Sequence, residues 1–178
     1  MTKKWRHGLV EHATALSSNL DDEGTVSFNA RYTHTNIVAR DWRRLAEFYE
    51  NVFGCTPLPP ERDYRGAWIS ELTGLPEQEL EVRGMHLRLP GCGEKGPTLE
   101  IFEYSVTPER PPSATNLPGF AHIAFHVDDV PAAREAVLAA GGRDVGKLHT
   151  MDVPGAGTIT LIYMTDPEGN IIELQNWS

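Results

Sequence analysis

The sequence predicts an α+β fold of two paired βαβββ modules, each with its helix on one face of its strands. Three observations carry that expectation. A strand-then-helix pattern begins at Arg31 and starts again after Gly119. His34, Asp41 and Gly54 recur as His122, Asp129 and Gly142, each 88 residues on. Near the two ends, "TLEIFEY" matches "IIELQNW", placing Glu100 on Glu173 and Tyr104 on Trp177, each 73 residues apart. A unit repeated once, with a surplus of 15 residues in the first copy around 57–80, is the economical reading.

Residues 1–30 read as an N-terminal extension, in which 8–19 has the pattern of a short helix. The first module spans 31–106. "YTHTNIVARD" is strand-like, and "DWRRLAEFYENVFG" is a helix. Asp41 is placed to accept from its first free N–H groups, and Gly54 supplies the left-handed stop. Trp42, Leu45, Phe48, Tyr49 and Val52 recur at helical spacing. Residues 57–66 read as a proline-rich loop. Strands follow at 81–89 and 98–104, joined by the turn "PGCGEKGP". Residues 107–119, rich in proline and without periodicity, form a linker. The second module, 120–178, repeats the plan. It has a strand at "FAHIAFHVDD", a helix capped by Asp129 with Pro131 in its first turn, and two strands joined by "DPEGN".

Side chains alternate along a strand. Ile123, Phe125 and Val127 pack under the helix, which leaves His122, Ala124 and His126 on the opposite face. In the last strand Ile172 and Leu174 point to the core and Glu173 points away; Leu99, Ile101 and Glu100 repeat this in the first module. Each unit thus presents one imidazole and one carboxylate on its open face. If the two sheets curve together, His34, Glu100, His122 and Glu173 converge. Two neutral imidazoles and two carboxylates suit a divalent first-row metal and leave positions for water or substrate. A carboxylate in such a cavity needs a cation to offset its desolvation.

Composition narrows the partners. The 178-residue chain carries 16 Lys and Arg against 25 Asp and Glu, a net charge of −9. That disfavours nucleic acid and anionic membranes, both of which reward basic clusters. No apolar run approaches the ~20 residues of a membrane span, and the N-terminus lacks a signal peptide's apolar stretch. Cys55 and Cys92, far apart, read as free thiols of a cytoplasmic protein.

The pairs "HTNIVARDWRRLAEFYENVFG" and "HIAFHVDDVPAAREAVLAAGG", with "TLEIFEY" and "MTDPEGNIIELQNW", resemble the vicinal oxygen chelate superfamily over about residues 31–177. That superfamily includes glyoxalase I, methylmalonyl-CoA epimerase, extradiol dioxygenases, and bleomycin and fosfomycin resistance proteins. The resemblance implies an open cup around one divalent metal (Zn, Ni, Co, Mn or Fe), usually in a homodimer. It carries the metal ligands onto His34, Glu100, His122 and Glu173, the glyoxalase I pattern. The stretch "IFEYSV" after Glu100 departs from that enzyme's "LTHN".

The implied activity is that of a metal-dependent isomerase, lyase or epimerase acting on a small substrate with vicinal oxygens. Glu173 takes the proton next to a carbonyl and Glu100 serves as ligand or partner acid, with the metal stabilising the enediolate. Alternatives are a ligand-sequestering protein of the bleomycin-resistance kind and an Fe(II) extradiol-type dioxygenase. His126, Arg88 and Trp68 are further candidates for substrate contact: His126 shares the face of His122, Arg88 is placed for an anionic tail, and Trp68 lies in the first-module insertion.

Overall fold

A computed structural model of the chain describes residues 28–76 and 80–178. The segment read as a helix at 8–19 lies outside the described residues. From Thr33 to Ser178 the chain forms one unit.

Strand β1 (His34–Ala39) leads into helix α1 (Trp42–Phe53), whose N-cap Asp41 accepts from the Arg44 N–H. Gly54 ends the helix at φ +69, the left-handed conformation that a residue with a Cβ adopts only at a cost. β2 (Thr56–Arg65), α2 (Ala67–Thr73), β3 (Glu81–Arg88) and β4 (Thr98–Tyr104) complete the first sheet, in the order β1-β4-β3-β2. After the linker come β5 (Ile123–His126), α3 (Val130–Ala139), β6 (Arg143–Asp144), β7 (His149–Val153), β8 (Gly157–Thr165) and β9 (Ile171–Trp177). They order as β5-β9-β8-β6, with β7 also on β8. In both sheets the first strand runs parallel to the last, and the remaining pairings are antiparallel. The second module therefore repeats the topology of the first.

Two elements differ from the reading of the sequence. The proline-rich 57–66 is an edge strand rather than a loop. An edge tolerates prolines because one row of N–H groups has no ladder to serve, and the register shifts between Leu58 and Arg62 take up the irregularity. His122 lies one residue before β5, which begins at Ile123.

The helix-bearing faces of both sheets close over one core. Leu45, Phe48 and Tyr49 of α1, Val137 of α3, Leu87, Leu99 and Ile101 of the first sheet, and Ile162, Ile172 and Leu174 of the second belong to a single buried cluster. α1 touches α3, and the rings of Phe53 and Phe125 stack at 3.9 Å. Each fully buried Leu or Ile contributes about 1.5–3 kcal/mol by leaving water. The turn after β8 ties the modules together. The buried Asp166 carboxylate accepts from the N–H groups of Glu168 and Asn170, from Asn170 Nδ2 and from the Tyr49 hydroxyl of α1. The two sheets stay separate, and the face opposite the helices is open in each. A second apolar cluster, with Ile69 of α2, Leu80, Val82 and Phe102, covers one end of the first open face. No helix among the described residues is long and apolar enough to cross a membrane.

Candidate metal centre

Glu100 lies in the middle of β4, between a hydrophobic Leu99 and Ile101 that face the core. The parallel pairing with β1 sets Asn36 beside it, and the antiparallel pairing with β3 sets His86 on its other side. Both neighbours bind it. Asn36 Nδ2 donates to Glu100 Oε2 at 2.9 Å, and His86 Nε2 lies 2.8 Å from Oε1. His34 Nε2, two residues up β1 from Asn36, is 3.6 Å from Oε2. The ligand atoms of His34, His86 and Glu100 all lie within 4.8 Å of one another, the sole group of three metal-type side chains this tight among the described residues.

His86 is held below the usual imidazole range. Burial is the main cause, reinforced by the positive charge of Arg62 and by His34, and it outweighs the pull of Glu100 in the other direction. The short contact to Glu100 is therefore a hydrogen bond to a neutral ring at pH 7 rather than a full ion pair. The other ring nitrogen, Nδ1, is 2.9 Å from Thr98 Oγ1. A hydroxyl both donates and accepts, so Thr98 serves either tautomer and lets Nε2 turn from donor to metal ligand.

The second module builds a matching but thinner arrangement. Ala124 and Tyr163 flank Glu173 where Asn36 and His86 flank Glu100. Glu173 is buried, with His122 Nε2 3.1 Å from its Oε2. The Tyr163 hydroxyl donates to the same carboxylate; burial first, and then this bond, holds the phenol proton more tightly than usual. His122 and Tyr163 rings sit 5.2 Å apart.

The structure thus brings His34 to Glu100 and His122 to Glu173, and it adds His86 to the first pair. It does not bring the two pairs within 4.8 Å of each other in one chain. The remaining candidates are dispersed. His126 is exposed on the open face of β5, in register with Gln175. Arg88 ends β3 on the open face in register with Thr98, and its buried Nε has no partner among the described residues. Trp68, in α2, is half exposed with its ring edge-on to Tyr64. Sequence reasoning gave His86, Asn36 and Tyr163 no role. The hairpin held a signal for His86: the turn "PGCGEKGP" pairs Arg88 with Thr98, and two steps further back on each strand are His86 and Glu100.

A duplicated βαβββ fold with an imidazole–carboxylate pair on each open face defines a protein of two like modules. The family follows from the sequence: residues 31–174 match the model of the glyoxalase/bleomycin resistance protein/dioxygenase superfamily, and the chain belongs to it. It is 32% identical over 149 residues to a 2-epi-5-epi-valiolone epimerase of an Actinomyces species, covering 80% of this chain and 77% of that one. It is 26% identical over 147 residues to the lactoylglutathione lyase of Haemophilus influenzae, covering 79% and 87%, and 29% identical over 143 residues to the uncharacterised YaeR of Escherichia coli, covering 79% and 92%. A glyoxalase family protein from Bacillus cereus shares the fold with a TM-score of 0.67 at 20% identity, over 86% of this chain and 99% of that one.

Proposed function

We propose that the chain is a metal-dependent glyoxalase-like enzyme, an isomerase, lyase or epimerase that moves a proton next to a carbonyl in a small substrate with vicinal oxygens. The observation that carries this reading is the pair of glutamates, each mid-strand, each shielded from water, and each held by an imidazole on an open face. The donor chemistry fits a divalent first-row cation: neutral imidazole nitrogens and carboxylate oxygens, with Asn36 and Thr98 orienting the ligands from behind. His34 and Glu100 would hold the ion with His122 and Glu173, and His86 stands ready as a further ligand. Because the two pairs are apart in one chain, the reading has His122 and Glu173 of a second copy complete the site in a homodimer. A bound divalent cation would polarise the substrate carbonyl and stabilise the enediolate left by proton removal.

The chain's own residues divide the remaining work unequally. Glu100 is held by Asn36 and His86, with His34 3.6 Å away, so it suits a ligand that stays in place. Among the described residues Glu173 has His122 and the Tyr163 hydroxyl as partners, and the reading takes it as the freer carboxylate and the base. It takes the proton from one carbon and returns it to the neighbouring carbon; in an epimerisation Glu100 would be the partner acid that supplies a proton to the opposite face. The test is proton exchange in D₂O, followed by NMR, across 2-oxo acids, hydroxyketones and hemithioacetals with the metal-loaded protein. The reading expects exchange in one class, reduced at least 100-fold by Glu173→Gln. Tight binding without exchange favours the ligand-sequestering alternative.

A second reading rests on one observation. His34, His86 and Glu100 form a two-histidine, one-carboxylate set within a single module, the donor pattern of non-haem Fe(II) oxygenases. It predicts oxygen uptake with a catechol, dependent on iron.

A further inference from the structure

Three arginines of the first module have carboxylate partners. Arg43 pairs with Glu61, Arg65 with Asp63 and Glu81, and Arg83 with Glu81. Arg62 is different. It stands on β2 in register with Gly84, one row along the open face from His86 and Glu100. Cα atoms one row apart on the same face are ~7 Å from each other. Its guanidinium donates to the Pro60 carbonyl and has no carboxylate within ion-pairing distance among the described residues, although the chain carries an excess of acids. It is half-buried. Gly84 opposite leaves it no side chain to pair with, since the Phe102 ring covers that position. A partly desolvated guanidinium without a counter-ion is costly to maintain, and a planar fork of N–H donors matches a carboxylate or phosphate.

We infer that Arg62 is the anchor for an anionic group of the substrate, so that the proposed enzyme acts on an acid, a carboxylate or a phosphate ester, whose vicinal oxygens reach the His34–His86–Glu100 cluster. This rests on the reading of that cluster as the reaction centre. Arg88, two rows from Arg62 on the same face and also without a carboxylate partner among the described residues, lies on the far side of the cluster, so the anion is held at one end of the row and the face beyond remains for the rest of the molecule.

The test uses the full chain, titrated with malonate and separately with inorganic phosphate, followed by NMR, with and without Zn(II). The proteins are the wild type, Arg62→Gln, Arg62→Lys and, as a control, Arg43→Gln. The inference expects one of the two anions to bind the wild type and Arg43→Gln alike. Its affinity should fall about tenfold or more in Arg62→Gln and less in Arg62→Lys, which keeps the charge but loses the fork; the anion that binds more tightly names the class. It is overturned if neither anion binds, or if Arg62→Gln binds as well as the wild type. Arg62-dependent anion binding in a protein that takes up no Zn(II) upholds the anchor and sinks the metal reading. Normal Zn(II) uptake without Arg62 dependence does the reverse.

Discussion

His86 and Glu100 face each other across the β3–β4 ladder with 2.8 Å between Nε2 and Oε1. In the second module the equivalent cross-strand pair is Tyr163 and Glu173. The duplication has kept the carboxylate and exchanged the group beside it, so the two glutamates differ in partner and in freedom. Removing His86 strips Glu100 of its shortest contact. His86→Ala and Asn36→Ala should each weaken Zn(II) or Co(II) binding about 10–100-fold, the range for ligands or the groups that orient them, while leaving the far-ultraviolet circular dichroism unchanged. Competition with a chromophoric chelator measures this; unaltered affinity in both variants would remove the first-module cluster from the metal site.

Asp166 binds four donors from two modules. Asp166→Ala leaves the Tyr49 hydroxyl and two backbone N–H groups short of a partner and should cost about 1–3 kcal/mol in urea unfolding. Burial raises the carboxyl above its usual range, whereas the unfolded chain titrates near 4. The folded state therefore holds the proton more tightly. Its contribution is complete below about 4 and is lost as pH rises through the folded value. The stability advantage of the wild type over Asp166→Asn should accordingly narrow as pH rises from 4 towards neutrality, and a widening gap contradicts the assignment.

Gly84 sits where β3 passes close to β4. A Cβ there would lie 2.0 Å from the Ile101 carbonyl oxygen and 2.4 Å from the Phe102 ring. Gly84→Ala must push the two strands apart beside His86 and Glu100, and should cost about 1–3 kcal/mol together with a measurable loss of metal affinity. A variant as stable as the wild type would show that the strands yield at no cost.

The two thiols differ in exposure. Cys92 is exposed in the β3–β4 turn, and Cys55 is buried after α1. Burial, aided by Glu50, pushes the Cys55 thiol up to about 11, and the thiolate is the reactive form. One equivalent of a disulfide reagent should react rapidly at pH 7.5, and the second only on unfolding. Rapid reaction of both, or protection of Cys92, runs against this.

Much of the fold was legible because local chemistry and periodicity agree. Asp41 and Asp129 cap the two helices as their spacing implies, and Gly54 takes the left-handed conformation. The alternation of Leu99, Glu100 and Ile101 assigns the faces of β4 correctly. β2 was hidden because its prolines mimic a loop, and a proline-bearing edge strand has no local signature. His34 and Glu100 meet because a parallel pairing joins the ends of a module, whereas His86 enters through cross-strand register, which needs the hairpin to be counted. The separation of the two glutamate pairs was not legible at all. No residue spacing along the chain records which way a sheet's open face turns.

Anomalous diffraction from crystals of the Co(II)- or Zn(II)-loaded protein tests the metal centre most directly. The expected result is one cation per chain at ~2.0–2.2 Å from a ring nitrogen of His34 and a carboxylate oxygen of Glu100, with His122 and Glu173 of a second copy completing the sphere. A loaded crystal whose cation lies away from both glutamates, or that takes up none at full occupancy, would contradict it.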